Sequence, residues 1–189
     1  MKKVLFFILL SLNFGQDSSA QTIIDTSAII NELTLIHDRD QKTRASGDSS
    51  QFIFFIDSCN LVQIETLISK YGWPGKSFVG AKGNNTVWLV IQHADLATQE
   101  RYLPMMEKSV ADNESRSCDL ALLQDRILMR QGKKQFYGSQ VTFNKITGDQ
   151  EFWPIEDEAN VNSRRTKVGL EPIEEYAKYF DIEYKPRKE

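Results

Sequence analysis

Histidine and cysteine are scarce. In 189 residues there are two of each: His37, His93, Cys59 and Cys118. Two histidines cannot build a histidine-rich metal site. Neither cysteine has a second Cys or His at ligand spacing, so no metal and no other cofactor is expected. Two cysteines also exclude a multi-bridge disulfide framework. One Cys59–Cys118 bridge could form in an oxidising compartment. It would close a loop of about 60 residues, worth on the order of 4 kcal/mol in a chain-entropy account. Two thiols that never meet fit the sequence equally well.

A long basic block is also missing. The chain carries 23 Lys and Arg against 26 Asp and Glu, a net charge of −3. Its basic clusters are short: Lys133-Lys134, Arg164-Arg165 with Lys167, and Lys185, Arg187 and Lys188. Nucleic-acid binding rests on phosphate neutralisation and is not expected here. Several catalytic signatures are absent too. Gly80-Ala81-Lys82-Gly83 has the wrong glycine spacing for a dinucleotide or phosphate loop. There is no Gly-x-Ser-x-Gly elbow and no His-Glu-x-x-His. A carboxylate pair for glycoside chemistry stays open, because acids are plentiful and distances are invisible.

What is present begins with an export signal. Met1-Lys2-Lys3 is a positive start, and Val4 to Leu12 is apolar apart from Ser11. That run is shorter than the roughly 20 apolar residues a bilayer span needs. Ser18 and Ala20 supply small residues before a cut after Ala20. Residues 1–20 therefore read as a cleaved signal peptide, which implies a periplasmic or secreted protein. Residues 21–184 read as one globular domain without a membrane span, and 185–189 as a charged tail.

Hydrophobic periodicity gives a mostly helical α+β fold. Thr22 to Ala45 has helical spacing through Ile23, Ile30, Leu33 and Ile36, with Asp40, Gln41 and Arg44 continuing one face. Phe52 to Ile56 is ambiguous between a strand and a buried helical turn. Asp57 or Ser58 would then cap a helix through Leu61, Ile64, Leu67 and Ile68. Gly72-Trp73-Pro74-Gly75 stops it. Thr86 to Ile91 reads as a buried helix, Ala97 to Val110 as a helix despite Pro104, and Ser117 as the cap of another ending at Gly132. Trp73 and Trp88 read as core. Phe136 to Phe143, a turn at Thr147-Gly148-Asp149 and Glu151-Phe152-Trp153 predict a small β-hairpin near the C-terminus. Pro154 to Thr166 reads as irregular, and Pro172 opens a last helix.

Polar groups interrupt this pattern at telling places. Gln92-His93-Ala94-Asp95 leaves an apolar run. Asp125-Arg126 sits mid-helix between Leu123 and Ile127, where inward charges need partners. Gln135, Tyr137 and Gln140 crowd one short segment, and Arg164-Arg165 follows. One reading is a cleft. His93 would be its general acid or base, Asp95 or Asp125 would orient the imidazole, and Arg126 would stabilise charge. Gln92, Gln135, Tyr137, Gln140, Arg164 and Arg165 would hold the ligand. The other reading, given somewhat more weight, is a buried polar network that staples helices to the hairpin.

Six segments together resemble a widespread bacterial family of unknown function: Tyr71-Gly72-Trp73-Pro74, Val79-Gly80, Trp88 to Asp95, Ala121 to Arg126, Gln135 to Gln140, and Arg164-Arg165 with Val168-Gly169-Leu170. Asp40-Gln41 and Arg44 extend the likeness upstream. Ser139 stands where threonine is expected. The resemblance implies one domain and carries no activity, substrate or cofactor. Two functional expectations follow from the residues. One is an exported protein whose cleft around His93 binds a small polar or anionic ligand, with hydrolysis as one use of it. The other is a non-catalytic envelope accessory that acts through protein contacts.

Overall fold

The computed structural model describes residues 25–185. The signal peptide, the start of the first expected helix and the tail beyond Lys185 lie outside these residues.

Helix α1, Thr26–Ala45, begins where the Asp25 carboxylate accepts the Ser27 amide hydrogen. It buries Ile29, Leu33, Ile36, Asp40 and Thr43, a stripe at alternating spacings of four and three. Helix α2, Ser50–Tyr71, is capped by Ser49. That cap lies upstream of Asp57 and Ser58, so Phe52 to Ile56 is helical, and the strand alternative is overturned. Phe52, Phe54 and Phe55 remain exposed on it. By length and composition α2 could cross a membrane. Its Ile64, Leu67 and Ile68 are buried in the helical core.

Gly72, at φ 73°, ends α2 in a conformation that side chains disfavour. Helix α3, Lys76–His93, bends at Gly80 and is almost wholly buried from Gly83 to Gln92. It touches α1, α2, α4 and α5, which is why its sequence reads as a continuous apolar run. Helix α4, Leu96–Ala111, passes through the exposed Pro104. Helix α5, Ser117–Arg130, starts at Ser117 with Arg116 in the cap position. Leu33, Ile36, Ile64, Val87, Ile91, Met106 and Leu123 form the sealed centre of this five-helix layer. Truncating one of them to alanine would cost about 2–5 kcal/mol.

A second, smaller core follows. Strands β1, Val141–Phe143, and β2, Gln150–Phe152, pair antiparallel with Val141 opposite Phe152. Helices α6, Val161–Lys167, and α7, Ile173–Ala177, close over them around Phe152, Ile155, Val161, Ile173 and Ala177. The fold is therefore mostly helical α+β with a small hairpin near the C-terminus. Two local expectations are corrected, and the choice left open at the cysteines is decided. Residues 136–140 form a loop, since their amides turn toward a carboxylate on α5. Residues 161–167 are helical because Val161 and Arg165 point into the small core. Cys59 and Cys118 are free thiols, so the bridge is absent.

Candidate functional site

The polar residues singled out above fall into two groups, divided by the adjacent pair Asp125-Arg126. Successive residues on a helix point about 100° apart, so neighbours on α5 can serve different surroundings.

Asp125 is fully buried. Its Oδ1 accepts the amide hydrogen of Phe136 at 2.7 Å, and Oδ2 accepts that of Ser139 at 3.0 Å. Tyr137 donates its amide to both oxygens, at 3.0 and 3.1 Å. Burial pushes the carboxyl pKa up, and these amide bonds oppose that rise. Gln135, also fully buried, closes the loop on itself. Its amide nitrogen donates to the carbonyls of Gln140 and Trp153, and its oxygen accepts the Gln140 amide hydrogen. The Gln140 side chain donates to the Ser139 hydroxyl.

Two arginines reach in from α6. Arg164 donates to the carbonyls of Phe136, Glu156 and Asp157. Arg165, 1% exposed, donates to the carbonyls of Glu171 and Tyr137, and its guanidinium lies 4.9 Å from the centre of the Tyr176 ring. Burial lowers the Arg165 pKa from its usual value. Gly138, at φ 65°, lies where a Cβ would stand 2.5 Å from Ile173 Cδ1. Asp125, Gln135, Arg164 and Arg165 are thus joined to backbone, and the Gln140 side chain to the Ser139 hydroxyl. They hold the small core on the large one.

The second group gathers around His93, at the C-terminal end of α3. Burial is the main cause that lowers its pKa to about 4. The charges of Arg44, Arg126 and Arg130 push the same way, and Asp40 opposes them. Its imidazole is therefore neutral at neutral pH. Arg44, on α1, already has partners: it bonds Asp40 at 3.1 Å and Asp57 at 2.7 Å. Arg130 donates to the Ala94 carbonyl at 2.5 Å.

Arg126 differs. Its Nε is buried with no hydrogen-bond partner. No ion pair among the described residues includes it. Burial, then the like charges of Arg130 and Arg44, lower its pKa. Tyr176, whose ring lies under the Arg165 guanidinium, also feels the charge of Arg126.

Of the residues named from sequence, His93 and Arg126 come together. Asp95 is spent elsewhere, as the exposed cap of α4, accepting the Thr98 amide hydrogen at 2.8 Å. Gln92 is buried, and its carbonyl accepts from the Gln99 side chain. Sequence reasoning missed Arg130 and Tyr176. Arg130 was legible, since it lies four residues after Arg126 on one helix face, where like charges are otherwise unfavourable. The long-range approach of Arg44 and Tyr176 left no local signal.

A family model matches residues 36–187, spanning α1 to the C-terminal region, and so includes both groups. The chain belongs to DUF6624, a family of unknown function. No curated protein and no solved structure matches it.

Proposed function

We propose that this chain binds a small anion at Arg126, with Arg44 and Arg130 beside it and the neutral imidazole of His93 at its edge. The observation that carries this reading is the unpartnered, buried Arg126 Nε among like charges. A buried cation normally has a counter-charge or a set of acceptors. Here the nearby acids, Asp40 and Asp57, are already bonded to Arg44. An anion would satisfy Arg126 and offset the repulsion, and a carboxylate or phosphoryl group matches the guanidinium fork.

A neutral histidine beside an anchored anion can accept a proton from water or from the ligand. Hydrolysis of the bound molecule requires that anion to raise the His93 pKa from about 4, since so weak a base takes up protons poorly near neutrality. A periplasmic or secreted location would put the site where exported small metabolites are met. The competing interaction-module reading draws on the exposed Phe52, Phe54 and Phe55 of α2.

The test is thermal unfolding with rising phosphate, sulfate or acetate. An anion at ten times its Kd should stabilise by about 1.4 kcal/mol. For a domain of this size that is roughly 3–6 °C. Arg126→Met should abolish the shift. An equal shift in the variant would reassign the effect to bulk salt and remove the proposal.

A further inference from the structure

A second site, remote from His93 and independent of the anion reading, lies where the α2–α3 turn meets the end of α4. A cavity of about 410 Å³ opens there, within the size range of small-molecule pockets. Tyr71, Trp73 and Met105 form its apolar walls, and Lys108, Asp112 and Glu114 are among its polar groups.

The Trp73 ring is held from behind. Its Nε1 donates to the Ser115 hydroxyl at 3.1 Å. Ser115 is bonded in turn to the Asn84 amide and the Ser109 hydroxyl, each at 2.8 Å. Asn84 also donates to the Pro74 carbonyl at 2.8 Å. Asn84, Ser109 and Ser115 are all buried. Three buried polar side chains thus fix one half-exposed indole and the turn that bears it. Tyr71 is fixed as well, tilted against Phe78 with ring centres 5.5 Å apart. Orientation of a ring by a satisfied polar layer is how binding surfaces are pre-organised.

The lining also indicates the ligand. Lys108 and Asp112 pair at 2.6 Å. The Glu114 carboxylate accepts the Ser77 amide hydrogen at 2.8 Å, which with the Ser77 side chain lowers its pKa. Each charge already has a partner, so an ionic ligand gains little. What remains is flat aromatic surface bordered by both donors and acceptors. We infer that this cleft binds a neutral saccharide, with a sugar ring stacked on Trp73 and its hydroxyls bonded to the exposed side chains of Lys108 and Asp112.

The experiment is an NMR titration of the ¹⁵N-labelled protein with three neutral oligosaccharides: maltotriose, cellotriose and tri-N-acetylchitotriose, at millimolar concentration. At least one should shift the Trp73 indole N–H and the Ser109 and Asp112 amides saturably. Asp112→Asn and Lys108→Ala alter exposed side chains and should leave the fold intact. Each should weaken that binding at least threefold, and Trp73→Ala should abolish it. The inference is overturned if none of the three sugars shifts these signals. It is also overturned if binding persists unchanged in all three variants, or if choline or acetate saturates the cleft and the sugars do not.

Discussion

Asp125→Ala should cost more stability than any single surface change, and its size can be worked from the contacts. The substitution strips acceptors from three buried or half-buried amide hydrogens, those of Phe136, Tyr137 and Ser139. Each unsatisfied buried donor costs about 1–3 kcal/mol. Partial rescue by water or loop movement would trim the sum, because Phe136 lies at the surface. A net loss of about 3–5 kcal/mol is expected, in line with removing one partner from a buried charged network. At roughly 2–4 °C per kcal/mol, the melting temperature should fall by about 6–20 °C. Asp125→Asn keeps the shape but turns an NH₂ group toward one amide donor, so it should lose about half as much. Thermal and urea unfolding followed by circular dichroism would read both variants. A melting temperature within a degree or two of the parent for Asp125→Ala would refute the reasoning. The loop would then have to find other acceptors at no cost.

Gly138→Ala should destabilise by several kcal/mol, since the new Cβ would meet Ile173 Cδ1 at 2.5 Å and Ile155 Cδ1 at 2.9 Å, at a positive φ; equilibrium unfolding measures it, and a neutral result would mean that the small core yields easily. His93 should make stability pH-dependent. Its folded pKa of about 4 lies below its ordinary 6.5, so the unfolded chain binds the proton first as pH falls. Its contribution is complete above pH 6.5 and fades toward pH 4, by on the order of 3 kcal/mol. His93→Gln should flatten that part of the stability profile, and an identical profile in the variant would exclude His93 as its source. Arg126→Met should leave the anion-free protein as stable as the parent or more so, because it removes a half-buried guanidinium whose buried Nε has no partner; a marked loss in chemical denaturation would point to an acceptor that Arg126 holds in solution.

Much of the fold was legible because its signals are local. The stripe of α1, the stop at Gly72 and the hairpin turn at Thr147-Gly148-Asp149 each follow from residues a few places apart. The misread segments are those settled by distant partners. Gln135 to Gln140 has strand-forming residues, but a carboxylate eleven to fourteen positions earlier takes its amides. Residues 161–167 look like loop until Arg165 is seen bonded to the carbonyl of Tyr137 in the 136–140 loop. The site was half legible for the same reason. Asp125-Arg126 stood out as charge in an apolar helix. Sequence could not show that Asp125 is satisfied by backbone while Arg126 faces Arg44 and Arg130 unpaired. Nor could it show that Asp95, two residues from His93, is a helix cap.

The most direct test of the anion site is the titration of the His93 imidazole by NMR, with and without saturating phosphate. In the free protein its pKa should lie near 4, held down by burial and by the arginines. A phosphate on Arg126 would offset the charges of Arg44, Arg126 and Arg130, so the pKa should rise by at least one unit, and Arg126→Met should abolish that rise. A His93 pKa that does not move with phosphate would contradict the account.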